Sequence, residues 1–327
     1  MRVLVTLPTD MRESFFTEDL YDRLDALGEV AYNETAEQFA PDELRERLRG
    51  VEACVTGWGT PQLDADALAD ADDLELLAHT GGSVADYASG TLYDRGVAVC
   101  SANRVMARFV AELTLGHAVG ALRDVTRSND EIAAGEWPEG DRVGTLFGSS
   151  VGLVGLGTVG RHLLPLLAPF DVDVSVYDPY VSPADLAEYG FVEKATLPAA
   201  MDSAVVSIHA ARTPETVGMV GAEELAAMPD GALLVNTARA EIVERDALLA
   251  ELRSGRVDAA LDVFHEEPLP ADAELRSLPN VTCTPHTGGS RIRPPLTEAM
   301  VAEVERHADG RALQHEIPRG QFSRMTR

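Results

Sequence analysis

Short hydrophobic runs alternate with polar, mostly acidic stretches over the first hundred residues. Apolar runs of four to eight residues, bounded by turn-forming residues, are typical of buried strands. The stretches between them, such as "APDELRERLRG" at 40–50, have the composition of solvent-facing helices. This alternation predicts βα units and therefore a small α/β domain. The predicted strands are "RVLVTL", "ACVTG", "LELLAHT" and "VAVCS".

A long helical pattern follows in "RVMARFVAELTLGHAVGALRDV", which covers 104–125. Apolar residues recur in it at three- and four-residue spacing, at Met106, Phe109, Val110 and Leu113. This spacing places the four side chains on one side of a helix, so it predicts a buried face.

The alternation becomes regular from residue 150 onward. Nearly continuous apolar runs suit the strands of a sheet that helices cover on both faces. Most of these runs are separated by helical or turn-rich segments, so the pattern predicts a doubly wound parallel sheet. Right-handed crossovers then bring the carboxyl ends of the strands to one edge. The predicted strands are "VGLVG", "VDVSVY", "AVVSIHA", "ALLVNTA", "DAALDV" and "NVTCTP".

A glycine-rich turn lies between the first of these strands and the helix after it. In "GLVGLGTVGRHLL", Gly155, Gly157 and Gly160 have GxGxxG spacing. Such a turn lets the backbone approach a pyrophosphate, while the helix amides point at its negative charge. By itself the spacing is also compatible with an ordinary tight turn or with another adenosine ligand. Asp178 ends the next strand, where a carboxylate can accept hydrogen bonds from a ribose diol, which favours NAD over NADP.

Polar residues end three later strands of the same predicted sheet. Arg239 follows "LLVNTA", Asp262 lies near the end of "DAALDV", and His286 follows "VTCTP". Ligands of open α/β sheets bind outside the carboxyl ends of the strands. These three side chains are therefore expected where a bound nicotinamide lies.

The chemistry of these residues suits hydride transfer to a 2-oxo acid. Arg239 has a planar, permanently charged guanidinium that can orient an oxo acid. Glu267, in "FHEEPLP", can stabilise the charged form of a neighbouring imidazole. His286 is then expected to protonate the alkoxide that forms when NADH reduces the carbonyl carbon. Taken singly, each side chain is equally well explained as a surface ion pair or a strand-end residue, so the prediction depends on the set.

Other catalytic chemistries find little support in the sequence. The stretch His265-Glu266-Glu267 lacks the HExxH spacing of a zinc site, so no metal is expected. There is no GxSxG turn of a serine hydrolase and no convincing cysteine–histidine pattern.

Charge and composition restrict the partners. The 327 residues include 54 acidic and 27 basic ones, which gives a net charge of -27, and Lys194 is the single lysine. Such a surface repels nucleic acid and anionic membranes. It is consistent with a salt-adapted surface or with a coding bias that favours arginine. A small anionic substrate would need locally placed arginines.

The compartment is expected to be the cytoplasm. The first residues, "MRVLVTLPTD", lack the longer apolar core of a signal peptide, and no run is expected to be long enough to span a bilayer. Cys54, Cys100 and Cys283 are odd in number and widely spaced, which argues against a disulfide framework.

The motifs as a set resemble those of the NAD-dependent D-isomer-specific 2-hydroxyacid dehydrogenases. The matching pieces occur in the right order and cover most of residues 105–290. They are "VAEL", "GEWPE", "VGLVGLGTVG", "VYDPY", "TPETVGMVG", "LLVNTAR", "ALDVFHEEPLP" and "LPNVTCTPHTGG".

The resemblance implies roles for individual residues. It implies a catalytic set of Arg239, Glu267 and His286, with Asp262 near the nicotinamide carboxamide. It also implies that the loop "HTGGSVADY" presents backbone amides to the substrate carboxylate, with Gly82 and Ser83 as the expected positions. Further cofactor contacts are implied for Thr158, Val159, Thr237, Ala238, Gly288 and Gly289.

The resemblance further implies the domain organisation and a homodimer. A Rossmann cofactor domain at 102–286 is expected to be inserted into a smaller, flavodoxin-like substrate domain, made of 1–101 and the returning segment 287–327. The region around Glu112 and the "GEWPE" arm is expected in a two-fold dimer interface.

Several positions depart from the family pattern. The family more often has a glycine where Ser83 stands, an acidic or amide residue at Ala85, and an asparagine at Met106. These departures leave the substrate open among glyoxylate, hydroxypyruvate, phosphoglycerate-type and longer oxo acids. The alternative function is an NAD-sensing regulatory protein that retains the dehydrogenase fold, although sensing alone does not require the catalytic set.

Overall fold

The computed structural model describes residues 1–137, 144–289 and 291–326. The chain divides into two compact units. One unit consists of Met1–Ala107 together with Gly289–Arg327, and the other is Arg108–Gly288. The first unit is therefore built from two segments that are far apart in the sequence.

The first unit contains a five-stranded sheet. Its strands are β1 (Arg2–Val5), β2 (Glu29–Tyr32), β3 (Ala53–Thr56), β4 (Leu76–His79) and β5 (Ala98–Ser101). They are all parallel and lie in the order β2-β1-β3-β4-β5, which is the order of flavodoxin-like sheets. The three central strands are buried along their whole length or nearly so, because helices cover both faces of such a sheet.

The helices of this first segment are short. They are α1 (Thr9–Phe15), α2 (Glu18–Asp25), α3 (Pro41–Arg47) and α4 (Gly90–Asp94). Leu44 of α3 and Leu92 of α4 are fully buried in the same core as Leu4 and Leu77 of the sheet. The predicted α/β character of this region is confirmed.

The long helix α5 (Asn103–Leu122) corrects two expectations. Its buried positions include Ala107, Ala111, Thr114 and Ala118, whereas the four larger residues predicted to be buried are only partly covered. Small side chains let a helix approach its neighbours closely, which spacing alone does not reveal. By length and composition α5 is also long enough to cross a bilayer, a property that core helices of globular proteins share.

The second unit contains a seven-stranded parallel sheet. Its strands are β6 (Ser150–Val154), β7 (Asp173–Tyr177), β8 (Val192–Lys194), β9 (Val205–Ile208), β10 (Leu233–Asn236), β11 (Asp258–Leu261) and β12 (Val281–Cys283). Their order is β12-β11-β10-β9-β6-β7-β8. The order reverses between β6 and β9, which is the crevice where doubly wound sheets bind dinucleotides. The predicted doubly wound sheet is confirmed.

Helices flank this second sheet. They are α6 (Val125–Ala133), α7 (Thr158–Leu167), α8 (Pro183–Leu186), α9 (Leu197–Met201), α10 (Ala222–Ala226) and α11 (Arg245–Ser254). One core cluster includes Leu163 and Leu167 of α7 with Val151 and Val174 of the sheet. A second cluster includes Leu248 and Leu252 of α11, with Val206 and Leu234 among its strand residues.

The returning segment completes the first unit with α12 (Pro294–Ala308) and α13 (Arg319–Phe322). Buried Leu296, Met300, Val301 and Val304 lie along α12, which packs against α2, β4 and β5. Beyond α12 the chain pairs with β5, since the Ile317 amide donates to the Val99 carbonyl at 2.7 Å.

Candidate functional site

The glycine turn between β6 and α7 has a backbone that only glycine adopts easily. Gly155 has a φ of +91°, and a Cβ atom there would lie 2.6 Å from the backbone nitrogen of Ala210. Gly157 directly precedes α7. Gly160 is buried in the first turn of α7, against Leu156. The turn is therefore shaped by close backbone packing.

The amino terminus of α7 supplies amides for an anion. Thr158, Val159 and Gly160 are its first three residues, and the first N–H groups of a helix have no acceptor within the helix. Together with the helix dipole they favour a phosphate group at this position. The residues present thus fit a dinucleotide pyrophosphate.

Asp178 stands beside this turn at the end of β7. Its Oδ2 accepts a hydrogen bond from the Leu156 amide at 2.8 Å, and its Oδ1 accepts one from the Tyr180 amide at 2.8 Å. A carboxylate has about four lone-pair positions, so two of them remain after these bonds. The half-buried Asp178 is thus oriented by the backbone and retains acceptors that fit a ribose diol.

A buried histidine packs against the same glycine turn. His209 lies after β9, and its Nε2 is 2.9 Å from Ser207 Oγ. Gly155 and Gly160 both face this residue. Burial lowers the pKa of His209 to about 4, so the ring is neutral near pH 7.

The chain turns after β10, and side-chain hydrogen bonds within the turn stabilise it. Asn236 Oδ1 accepts from the Ala238 amide, and Asn236 Nδ2 donates to the Arg239 carbonyl, both at 3.0 Å. Thr237 Oγ1 is 2.7 Å from Thr114 Oγ1 of α5. Half-buried Arg239 donates from Nη1 to the Ala238 carbonyl at 2.7 Å, which orients the guanidinium.

Asp262 lies at the end of β11 and holds the turn that carries His286. Only 1% of this residue is exposed. Its Oδ1 accepts from Thr284 Oγ1 at 2.5 Å and from the Thr287 amide at 2.8 Å. Its Oδ2 accepts from the Gly288 amide at 2.9 Å, and its carbonyl from the His286 amide at 2.9 Å. The carboxylate therefore clamps residues 284–288 from both sides.

The network around Asp262 extends to His117, a residue that sequence reasoning missed. His117 Nε2 of α5 is 2.9 Å from Thr284 Oγ1. Since Thr284 donates to Asp262, it accepts from His117, so the Nε2 atom of His117 carries a proton. Burial lowers the pKa of His117, and the charge of Asp262 opposes this effect. A histidine inside a largely apolar helix was the available signal.

His286 is paired with Glu267. His286 has a φ of +49°, in the left-handed region, and its Nδ1 lies 2.7 Å from Glu267 Oε2. The other oxygen of Glu267 accepts from the Phe264 amide at 2.9 Å. The His286 side chain is 45% exposed and that of Glu267 is 36% exposed. The pair is thus both oriented and accessible.

The predicted residues at the sheet edge are brought together as follows. Arg239, Asp262 and His286 follow β10, β11 and β12, which are neighbouring parallel strands. Glu267 reaches this edge from the loop between β11 and β12. Asp178 and the glycine turn lie after β7 and β6 of the same sheet. Gly288 packs against the Asp262 carboxylate.

The remaining predicted residues belong to the first unit. Gly289 packs against Met106, and Gly82 also faces the sulfur of Met106. In the loop after β4, Ser101 Oγ donates to the Gly82 carbonyl at 2.6 Å. Within the described residues, the amides of Gly82, Ser83 and Val84 donate no hydrogen bond. Three consecutive amides without an acceptor among the described residues are available to bind an anion.

Comparison with known proteins identifies the family. Residues 115–288 match the sequence model of "D-isomer specific 2-hydroxyacid dehydrogenase, NAD binding domain". This match covers more than half of the chain and contains the glycine turn and the edge residues described above. The dinucleotide that fits the turn is therefore a nicotinamide dinucleotide.

Individual relatives agree with this match. The chain is 33% identical to YoaD of Bacillus subtilis (strain 168) over 304 residues, which are 89% of this chain and 85% of YoaD. It is 31% identical to a D-3-phosphoglycerate dehydrogenase of Methanocaldococcus jannaschii over 89% of this chain, and it spans only 54% of that relative.

A solved structure extends the likeness to the whole fold. The crystal structure of TT0316 protein from Thermus thermophilus superposes with a TM-score of 0.79 at 29% identity, covering 97% of this chain and 100% of that one. Sequence, fold and edge geometry thus agree. The chain belongs to the D-isomer specific 2-hydroxyacid dehydrogenases, oxidoreductases that use a nicotinamide dinucleotide and 2-hydroxy acids.

Proposed function

We propose that this protein reduces a small 2-oxo acid to the D-2-hydroxy acid with NADH, and catalyses the reverse reaction with NAD. The observation that carries the proposal is the 2.7 Å contact between His286 Nδ1 and Glu267 Oε2, at the sheet edge that also carries Arg239. An oriented imidazole–carboxylate pair is suited to general acid–base catalysis. The bound NADH supplies the hydride for the carbonyl carbon.

His286 is proposed as the proton donor in reduction. Because Glu267 accepts from Nδ1, the Nε2 atom is the one that exchanges a proton with the substrate oxygen. Glu267 holds the ring by its contact with Nδ1 at 2.7 Å and so directs Nε2 toward the substrate. In the reverse reaction the same Nε2 removes the proton from the hydroxyl group.

Arg239 and the loop after β4 are proposed to bind the substrate. The hydrogen bond from Nη1 of Arg239 to the Ala238 carbonyl orients the guanidinium, whose planar and permanently charged group suits the carboxylate of an oxo acid. The amides of Gly82 and Ser83 are proposed to bind its carboxylate, as their unpaired state among the described residues supports. Glyoxylate, hydroxypyruvate and a phosphoglycerate-type acid are the candidates.

The cofactor residues are proposed as follows. Asp178 accepts from the ribose diol, which favours NAD over NADP because a 2′-phosphate beside a carboxylate is repelled. Gly155, Gly157, Thr158, Val159 and Gly160 surround the pyrophosphate. Thr237, Ala238, Asp262, Gly288 and Gly289 are proposed near the nicotinamide end. The unit Arg108–Gly288 is thus the cofactor domain, and the other unit is the substrate domain.

The protein is further proposed to be a cytoplasmic homodimer. Val125 and Ile132 of α6 are more than half exposed, and Trp137 is 85% exposed. Large apolar side chains of this kind are enriched in protein interfaces. Trp137 belongs to the "GEWPE" arm, of which Pro138 and Glu139 lie outside the described residues. Light scattering on the purified protein measures the mass in solution, and a monomer would contradict the dimer.

The reaction is tested by following NADH and NADPH oxidation with a panel of 2-oxo acids, at low and at multimolar potassium chloride. The expected result is turnover of one acid with NADH, and a loss of at least roughly 100-fold in kcat in His286→Ala, with NADH binding retained. Binding of NADH without turnover of any acid, or full turnover in His286→Ala, would contradict the proposal.

A further inference from the structure

The side chain of Ser83 is bound to a distant part of the chain. Ser83 Oγ donates to the carbonyl of Thr326 at 2.6 Å, and it accepts from the Ala85 amide at 3.2 Å. The hydroxyl therefore connects the loop after β4 with the segment that follows α12. The family pattern more often has a glycine at this position, and a glycine cannot make this bond.

The segment that carries Thr326 is itself firmly attached to the first unit. Arg319 of α13 pairs with Asp94 of α4 at 2.6 Å. Phe322 is 7% exposed and its ring lies 5.2 Å from that of Tyr93. Tyr93 also donates to the Ile317 carbonyl at 3.1 Å, and Met325 packs against the core of the unit. Residues 319–326, named here the strap, are thus anchored before they reach Ser83.

The loop is consequently held at two points that leave its amides available. On one side, Ser101 Oγ donates to the Gly82 carbonyl at 2.6 Å. On the other side, the Thr326 carbonyl of the strap accepts from the Ser83 hydroxyl. Neither bond uses the amides of Gly82 or Ser83. The first bond holds the peptide plane that Gly82 and Ser83 share, and with it the direction of the Ser83 N–H group. The second bond anchors the Ser83 side chain beside it.

We propose that the strap is a positioning element of the substrate site, and that the Ser83–Thr326 hydrogen bond holds residues 82–84 in the conformation that binds the substrate carboxylate. This inference rests on the proposed function, because it takes the amides of Gly82 and Ser83 as carboxylate donors. Ser83 acts through its own backbone amide and its neighbour's. Loss of the bond should therefore weaken binding of the acid and leave the binding of NADH unchanged.

The first test uses steady-state kinetics on Ser83→Ala and on a protein that lacks residues 323–327. Loss of one hydrogen bond of this type corresponds to roughly a three- to tenfold rise in KM for the oxo acid, with kcat changed by less. Ser83→Thr keeps the hydroxyl and should restore most of the affinity. Ser254→Ala removes a hydroxyl that donates to the Glu251 carbonyl at 2.7 Å in the other unit, and serves as the matched control.

Combining the two changes tests whether they act through the same bond. If they do, the protein with both Ser83→Ala and the deletion should have the KM of the more impaired single variant. Multiplied effects would show that the strap and Ser83 act separately and would overturn the proposal. An unchanged KM in Ser83→Ala would do the same.

A readout without turnover separates this inference from the proposed reaction. Amide hydrogen exchange of a peptide covering 80–88 reports how firmly the loop is held. Exchange should be faster in Ser83→Ala and in the shortened protein than in the wild type or Ser254→Ala. Equal exchange in all four would overturn the tether, whatever acid the enzyme reduces. If exchange responds while the wild type reduces no acid of the panel, the proposed reaction fails and the assignment of the strap to a substrate site fails with it.

Discussion

Glu267 Oε2 lies 2.7 Å from His286 Nδ1, although Glu267 belongs to the loop before β12 and His286 to the turn after it. The Phe264 amide donates to the second oxygen of Glu267 at 2.9 Å, so a bond independent of the ring orients the carboxylate. Its charge and its position both act on a single nitrogen of His286. Nε2 is therefore the atom that we propose exchanges a proton with the substrate.

Removing the charge of Glu267 should impair catalysis and spare cofactor binding. In Glu267→Gln we expect kcat/KM for the oxo acid to fall roughly 100-fold or more, because an amide replaces the charged acceptor that orients the His286 ring through Nδ1. The Kd of NADH, measured by fluorescence, should stay within about twofold. The exposed neighbour Glu266→Gln is the matched control, and equal kinetics in the two variants would contradict the pairing.

Asp178 should determine the preference for NADH. Replacing it by Asn removes a charged acceptor, so the Kd of NADH should rise about tenfold, whereas that of NADPH should rise less or fall. Titration of both dinucleotides by fluorescence measures the ratio. Asp173→Asn, at the exposed start of the same strand, should leave the ratio unchanged. A ratio that is also unchanged in Asp178→Asn would remove the ribose assignment.

Asp262 should link stability to catalysis. Both carboxylate oxygens of Asp262 accept hydrogen bonds from groups in residues 284–288. In Asp262→Asn one oxygen becomes an NH2 group, which cannot accept, so two donors face each other in a buried site. Such an unsatisfied pair costs on the order of 1–3 kcal/mol. We expect the free energy of unfolding by urea to fall by this amount, and kcat to fall because the His286 turn loosens. A variant with normal stability and normal kcat would show that the clamp is dispensable.

Two buried histidines should make the protein less stable in mild acid. Burial lowers the pKa of His79 to about 3 and that of His209 to about 4, from an ordinary value of 6.5. Between pH 6.5 and 4 the unfolded chain binds protons that the folded chain excludes, so the free energy of unfolding decreases as the pH falls. At pH 5 the loss relative to pH 7 is about 2 kcal/mol for each histidine.

Urea unfolding at pH 7 and pH 5 measures this loss. In His209→Asn the difference between the two pH values should be smaller by about 2 kcal/mol, since one of the two groups is gone. If the wild type and the variant lose the same stability, then His209 takes up its proton without unfolding, which would contradict the burial of its ring.

The sheets could be predicted from the sequence except for one edge strand of each. The structure adds β2 and β8, which the hydrophobic pattern did not reveal. Their sequences, "EVAY" and "VEK", have exposed residues at alternate or successive positions. An edge strand pairs on one side only and is less covered, so its residues need not be apolar. Central strands have to be buried on both faces, and this requirement made all of them recognisable, together with the edge strands β5 and β12, whose sequences are mostly apolar or follow an apolar pattern.

The candidate site divides along a similar line. Parallel strands end at one edge, so Arg239, Asp262 and His286 could be placed together from their positions after strands. The hydrogen bonds that position these side chains could not be predicted. His117 meets Thr284 across 167 residues, and Ser83 meets Thr326 across 243. Such contacts depend on how helices and the C-terminal segment pack in three dimensions. This packing produces no periodic pattern in the sequence.

The construction of the first unit from two separate segments affects how the protein is made. Strands β1 to β5 are synthesised early, but the buried face of α12, with Met300 and Val304, belongs to residues that follow almost two hundred positions later. At about 5–20 residues per second, the ribosome leaves this part of the sheet uncovered for roughly 10–40 s. The nascent chain therefore exposes apolar surface while the inserted unit is still being translated, and chaperones have that interval in which to bind it.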